Sequence, residues 1–147
     1  MTMLIRDATE DDIAGMIAID PIAAIADTRR QEIGEWVRNG RAIAALMDGQ
    51  VVGYGVLEYT FFGCGFISML IVRDGYRRRG IATALVQRLE ETCRTAKLFT
   101  STNESNAPMR ALMAKLSYEP SGIVHNLDEG DPELFYFKFV AGETSRE

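Results

Sequence analysis

The sequence predicts an α+β fold in which about four helices flank a central sheet that is mostly antiparallel and partly parallel. Segments with apolar residues at helical spacing alternate with segments rich in β-branched and aromatic residues. Asp48-Gly49 lies between two such β segments and is a strong hairpin signal. A strand, a helix and a strand follow one another over residues 65–102, which implies a parallel crossover. With 147 residues and no internal repeat, the chain is expected to form one domain, residues 1–147.

Two helices are predicted after a short first strand, MLIRDAT. Thr9 is expected to cap the first helix, and Pro21 marks its end. The stretch PIAAIAD shows no clear period and is expected to be a loop. Thr28 is expected to cap the second helix, which stops at Asn39-Gly40.

The rest of the chain alternates strands and helices. The last strand, ELFYFKFV, either lies at a sheet edge, where it would pair with another chain in a homodimer, or is buried. The predicted elements are strands 41–47, 51–60 and 65–72, a helix from RRRG to about Thr95, a strand KLFTST, a helix NAPMRALMAKL, and two closing strands, YEPSGIV and ELFYFKFV.

Composition and charge exclude several classes of function. The net charge is -5, so general attraction to nucleic acid or to an anionic membrane is not expected. Cys64 and Cys93 are too few for a disulfide framework and suggest reduced thiols in a cytoplasmic protein. The N-terminus has acids where a signal peptide needs basic residues, and no apolar run is long enough to span a bilayer. A single histidine excludes a multi-histidine site, and no metal is expected.

The stretch YRRRGIATAL, residues 76–85, places three arginines directly before a glycine. It lies between a predicted strand and a predicted helix, whose N-terminus exposes unpaired N–H groups and a partial positive charge. Gly80 removes a Cβ that would block an anion, and Ala82 keeps the next position small. A phosphate site, a solvated basic turn and a nucleic-acid patch are the three alternatives. The chain contains neither the nucleotide-binding P-loop pattern nor the dinucleotide fingerprint.

The pattern R-x-x-G-x-A, Arg77 to Ala82, resembles the pyrophosphate loop of the GNAT superfamily of N-acetyltransferases. The surrounding stretch LIVRDGYRRRG also resembles the pattern of that superfamily. So do the elements that follow it: a strand, an asparagine (Asn106) and a helix. The resemblance covers nearly the whole chain and is most specific over residues 65–118. It implies a GNAT-like acyl-CoA N-acyltransferase fold, with acetyl-CoA as co-substrate and an amine of a small molecule, peptide or protein as acceptor.

The resemblance also implies how acetyl-CoA is bound. The pyrophosphate would lie on the backbone amides of Arg78–Thr83, the pantetheine arm would pair with Leu70–Val72, and the N–H near Leu70 would polarise the thioester. The residues implied to bind the cofactor are Leu70, Ile71, Val72, Arg77, Arg78, Arg79, Gly80, Ile81, Ala82, Thr83, Asn106 and Met113.

The implied catalytic residues are Glu58, Leu70, Asn106 and Tyr118. Glu58 is the candidate base; a hairpin turn near residues 62–63 would place it opposite Ile67 and Ser68, the alternative being an exposed strand glutamate. At the family's tyrosine that protonates the leaving thiolate, this chain has Met113, and Ser117-Tyr118 replaces a Gly-aromatic pair. The thiolate therefore leaves unaided or through water, or Ser117, Tyr118 or another tyrosine substitutes, or the domain binds acyl-CoA without transfer.

The acceptor is expected near Phe61, Phe62 and the stretch IVHNLDEGDPEL, where His125 precedes the acids Asp128, Glu129, Asp131 and Glu133. Carboxylates such as Glu129 would suit a cationic amine, and the two phenylalanines would hold an apolar part. The alternatives are a solvated turn for the acids and core packing for the phenylalanines. A hydrolase with a Cys64 or Cys93 nucleophile beside His125 is a further alternative, although Cys93 falls on an apolar helix face.

Overall fold

Seven strands form one mixed sheet in the computed structural model, which describes residues 2–140. The strands are β1 (Met3–Asp7), β2 (Ala42–Met47), β3 (Gln50–Phe61), β4 (Cys64–Val72), β5 (Lys97–Asn103), β6 (Glu119–Val124) and β7 (Glu133–Phe139). Their order in the sheet is β1-β2-β3-β4-β5-β7-β6. The helices are α1 (Ile13–Ile19), α2 (Asp27–Arg38), α3 (Ile81–Thr92) and α4 (Ala107–Lys115), and a 3-10 turn (Glu10–Asp12) precedes α1. The predicted fold class and element order are confirmed.

Three predicted helix boundaries need correction. Thr9 caps the 3-10 turn rather than an α-helix, and its N–H donates to the Asp12 carboxylate at 2.8 Å. The second helix begins at Asp27, with Ala26 at the cap position, so Thr28 lies inside the first turn. The third helix ends at Thr92 and not near Thr95, and the Thr95 hydroxyl instead accepts from the N–H of Gly65.

Both predicted hairpin turns are present. Asp48 and Gly49 have φ of 51° and 79°, and Phe62 and Gly63 have φ of 53° and 76°. Two consecutive left-handed residues are characteristic of the tight turn whose twist matches that of antiparallel strands. The second turn sets the register of β3 against β4 and therefore places Glu58.

The chain divides into two compact units. The first comprises the residues up to Leu57 together with Met69–Leu89. Its core is built by fully buried Met16, Ile33 and Tyr54, onto which the half-buried Met69 and Ile71 of β4 pack. The Tyr54 hydroxyl donates at 2.5 Å to Asp20, which also receives Arg29 at 3.1 Å. This network ties the segment after α1 to β3 and α2.

The second unit comprises Glu58–Ser68 and, within the described residues, 90–140. Here β4 pairs parallel to β5 from Gly65↔Leu98 to Ile67↔Thr100, and β5 pairs antiparallel to β7. β7 lies between β5 and β6, so of the two alternatives for ELFYFKFV the interior strand is correct and the edge strand is not. The edge strand on this side of the sheet is β6, all of whose residues are exposed.

None of the helices within residues 2–140 is both long and apolar enough to cross a membrane.

Candidate active site

The segment between β4 and α3, residues 73–80, forms a tight loop anchored to β3. The N–H of Arg73 donates to the Val52 carbonyl at 2.8 Å, and that of Tyr76 donates to the Arg73 carbonyl at 3.0 Å. Arg78 and Gly80 have φ of 63° and 79°, whereas their neighbours have negative φ. Such alternation of negative and positive φ is typical of the backbone turns whose successive N–H groups bind an anion. The loop therefore has the backbone of a phosphate site.

Gly80 leads directly into α3. Its carbonyl accepts the N–H of Ala84 at 3.0 Å, so the amides of residues 81–83 precede the first helical bond and remain available to an anion. Two properties of glycine matter at this position. The φ of 79° disfavours any side chain, and the space where a Cβ would lie holds nothing within 4 Å. Gly80 thus permits both the conformation of the loop and close approach of a ligand.

The three consecutive arginines of the loop, Arg77 to Arg79, are exposed. Arg77 lies 3.5 Å from Asp74, and the Arg79 guanidinium lies 4.7 Å from the centre of the Tyr76 ring. This aromatic partner of Arg79 could not be predicted, since contacts within a turn cannot be read from residue spacing. Tyr76 is half-buried and holds Arg79 beside the amides of the loop.

The strand that leads into the loop carries Leu70, Ile71 and Val72, all half-buried in the first unit. The carbonyl oxygens of Met69 and Ile71 lie 3.6 Å and 3.0 Å from where a Cβ would lie on Gly55 and Gly53 of β3. These carbonyls therefore face β3. Because main-chain groups of successive strand residues point to opposite sides, the N–H of Leu70 faces away from β3. This orientation makes it available to a ligand rather than to the sheet.

Glu58 lies beside Ser68 in the second unit, as the predicted turn implied. The Ser68 hydroxyl donates to Oε1 of Glu58. Glu58 is half-buried, so it is not an exposed strand glutamate. A carboxylate held by one hydroxyl keeps free lone pairs to accept a proton or a further donor.

The helix α4 holds the residues expected to assist the leaving group. Asn106 caps the helix, its Oδ1 accepting the N–H of Met109 at 3.2 Å. Met113 is 0% exposed, so no side-chain surface is open to a cofactor in this conformation. Tyr118 is also buried, and its hydroxyl donates to Glu90 at 2.8 Å. Burial and that bond raise the pKa of Tyr118 well above its ordinary value.

The two phenylalanines predicted at the acceptor site differ. Phe61 packs among phenylalanines, with ring centres 4.9 Å from Phe66, 5.1 Å from Phe99 and 5.6 Å from Phe135. Phe62, at the tip of the turn, is 90% exposed. The structure thus assigns one of the pair to packing, as the core alternative anticipated, and leaves the other on the surface.

The acidic turn after β6 is mainly structural. Asp128 accepts from Asn103 at 2.9 Å, and Asp131 accepts from the N–H and hydroxyl of Ser105 at 3.0 Å and 2.6 Å. His125 and Glu129 are exposed in this segment. The solvated-turn alternative describes it better than a carboxylate-lined mouth centred on Glu129.

The cysteines show no nucleophile pair. Cys93 is buried, as its place on an apolar helix face predicted, and its sulfur lies 3.4 Å from the Thr95 hydroxyl. Within residues 2–140, no group of three or more His, Cys, Asp or Glu side chains is placed to hold a metal ion.

Residues 20–118 match the model of the GNAT acetyltransferase family, which is about two-thirds of the chain. The chain belongs to the GNAT acetyltransferase family. No curated protein sequence matches it significantly. A GNAT acetyltransferase from Bacillus cereus ATCC 10987 is 34% identical over 95% of this chain and 99% of its own, with a TM-score of 0.89.

Two further structures share the fold of this GNAT protein. A ribosomal-protein-alanine N-acetyltransferase from Brucella melitensis is 26% identical, with 93% and 99% of the two chains covered and a TM-score of 0.78. NAA60 from Arabidopsis thaliana, in complex with a bisubstrate analogue, is 16% identical, with 96% and 99% covered and a TM-score of 0.75. At that identity NAA60 supports the fold alone. Family membership makes this chain an acyltransferase by class.

Proposed function

We propose that this GNAT protein transfers an acetyl group from acetyl-CoA to a primary amine by direct attack. The observation that carries the proposal is the loop of residues 73–80, with left-handed Arg78 and Gly80 leading into the free amides of α3. Such a backbone binds a pyrophosphate without relying on side-chain charge. Arg77 and Arg79 add a favourable field at its rim.

The residues of the first unit fit acetyl-CoA. The open space at Gly80 accommodates phosphate oxygens, and the N–H of Leu70, facing away from β3, is free to donate to an acyl carbonyl. A donor fixed on a strand needs no reorganisation as negative charge develops on that oxygen. When bound, acetyl-CoA supplies the activated acyl group.

Glu58 is the proposed base. An amine nucleophile must be neutral, yet an alkyl amine has a pKa of about 10.4 in water. The Glu58 carboxylate, fixed by Ser68, would receive the proton directly or through a water.

Tyr118 is a poor proton donor in this structure. Its hydroxyl is committed to Glu90, and Met113 has no acidic proton. A thiol is acidic enough to leave near neutral pH without a dedicated acid, since its ordinary pKa is about 8.5. We therefore propose that the thiolate departs unaided or takes its proton from water.

A second candidate function is binding of acyl-CoA without transfer. It is favoured by the burial of Met113 and by the hydrogen bond from Tyr118 to Glu90. Neither of these two residues is therefore available to protonate the leaving thiolate. The two functions share the loop and differ only in turnover.

Thiol release from acetyl-CoA, followed with DTNB across a panel of amines, separates them. The transferase account predicts amine-dependent release that Glu58→Gln slows. Tight acetyl-CoA binding with no release above the hydrolytic background for any amine would favour the binding domain. The cytoplasmic location stays a prediction from the sequence.

A further inference from the structure

One face of the sheet in the second unit combines an aromatic floor with hydroxyl groups. Phe66 of β4 and Phe99 of β5 are opposite each other in the parallel register. Residues two apart on a strand share a face, so Ser68 and Ser101 lie on that same face, one level further along. Phe135 of β7 is opposite Ser101, and the centre of its ring lies 6.2 Å from the centre of the Phe66 ring. The two serines therefore stand at the border of a phenylalanine floor, which also includes Phe61 because its ring packs on the other three.

Each of these serines donates a hydrogen bond to a glutamate on the adjacent strand that lies on the side away from the other serine. Ser68 donates to Glu58 of β3, and Ser101 donates to Oε2 of Glu133 of β7 at 2.7 Å. The two carboxylates approach from opposite sides of the aromatic floor.

Within residues 2–140, the Glu58 and Glu133 carboxylates form no salt bridge, which is also true of the half-buried Asp131, whose oxygens accept from Ser105 instead. Both glutamates are half-buried. The carboxylates of Asp12, Asp20 and Glu90, which are also removed from solvent, each form a salt bridge, with Arg6, Arg29 and Lys138 respectively.

Partial burial of a carboxylate without a cation is unfavourable, because neutral hydroxyl donors replace only part of its hydration. Two such groups at the border of one apolar surface are complementary to a ligand that brings two cations and an apolar link between them. Aromatic ring faces also attract cations and alkyl chains lying on them.

We infer that the acceptor carries a second cationic group, joined to the reacting amine by an apolar segment, and that Glu133 is the specificity-determining residue that binds this second cation. Glu58 faces the reacting amine, and Ser101 positions Glu133. The half-exposed part of the phenylalanine floor, Phe61 included, contacts the apolar segment. This inference rests on the proposed function. It assigns recognition of the cationic acceptor to Glu133, whereas the sequence analysis named Glu129 for that role.

The test compares hexamethylenediamine with hexylamine, which shares the reacting amine and alkyl chain but lacks the second cation. Thiol release gives KM and kcat for wild type, Glu133→Gln and Glu129→Gln. The two variants remove one negative charge each, the second on the exposed turn, so Glu129→Gln is the matched control. Glu133→Gln keeps the size of the side chain and can still accept from Ser101, and an unchanged unfolding midpoint verifies its fold.

Glu133→Gln is expected to raise KM for the diamine about tenfold, with kcat and the KM for hexylamine within about twofold of wild type. Ser101→Ala should raise the same KM by less, because the carboxylate remains but is no longer held. The inference would be overturned if Glu133→Gln raised KM equally for both amines, or if Glu129→Gln raised the KM for the diamine as much as Glu133→Gln does. Either result would leave the proposed transferase function intact. Calorimetric binding of the diamine to the CoA-loaded protein decides the inference even if no amine releases thiol, a result that would refute only the proposed function.

Discussion

The Tyr118 hydroxyl donates a 2.8 Å hydrogen bond to Oε2 of Glu90, and Lys138 donates to the same oxygen at 3.0 Å. The tyrosine is buried at the position where α4 leads into β6. Burial and the Glu90 bond raise its pKa, so the proton is held more tightly than on a free phenol. Tyr118 is therefore not expected to protonate the leaving thiolate, which is the role that its position in the sequence suggested.

Tyr118→Phe is therefore expected to retain kcat within about threefold and to lose about 1 kcal/mol of unfolding free energy, the net worth of one hydrogen bond. Steady-state thiol release and chemical unfolding measure the two quantities. A hundredfold loss of kcat at unchanged CoA affinity would show that Tyr118 donates the proton after all.

Glu58→Gln is expected to lower kcat about a hundredfold or more, because the amide cannot accept the proton of the attacking amine. CoA affinity should be unchanged, since the loop of residues 73–80 is untouched. Glu119→Gln, which removes a charge from an exposed position on β6, serves as the control. Equal activity of Glu58→Gln and wild type across pH would contradict the role of Glu58 as base.

Met113→Tyr is expected to retain activity but to lose about 1–3 kcal/mol of stability, because the larger side chain enters a position with 0% exposure. Activity is compared below the unfolding midpoint of the variant. Complete loss in a folded variant would mean that Met113 maintains a shape that the tyrosine destroys.

Asp20→Asn tests the buried network of the first unit. Burial by itself raises the pKa of Asp20, but the bonds from Tyr54, Arg29 and the amides of Ile22 and Ala23 outweigh it and hold the pKa below the ordinary value. The stabilisation is therefore present above the unfolded pKa of about 3.9 and is lost as pH falls through the folded value.

At pH 7, Asp20→Asn is expected to cost about 3–5 kcal/mol, because Arg29 is left without its buried partner. The difference in unfolding free energy between wild type and variant, measured by urea unfolding from pH 7 to pH 2, should become smaller toward pH 2. A constant difference over that range would contradict the pKa assignment.

The elements and the loop were predictable because their signals are local. Asp48-Gly49 and Phe62-Gly63 adopt the left-handed pairs that tight hairpins need, and Gly80 lies where its pattern placed it. Ser68 was predictable as the partner of Glu58 once the turn at Gly63 fixed the register. These inferences needed only residue spacing along one or two adjacent strands.

Other contacts depend on distant residues and could not be predicted. Glu90 and Tyr118 are 28 positions apart, and nothing in the helix of Glu90 or in the segment of Tyr118 pairs them. The Ser101–Glu133 bond depends on the β5–β7 register, which is set after a long, irregular turn. For the same reason ELFYFKFV was ambiguous between edge and interior, because strand order is a property of the whole sheet.

Calorimetric titration of CoA into wild type, Gly80→Glu and Gly40→Glu tests the central claim most directly. Both glycines have left-handed φ, 79° and 70°, and open space where a Cβ would lie, so the two variants carry matched strain and charge. Glutamate at position 80 brings bulk and negative charge to the amides that would hold the pyrophosphate. The account predicts that Gly80→Glu loses CoA binding by at least about a hundredfold while Gly40→Glu binds like wild type. Equal affinity of the two folded variants would contradict it.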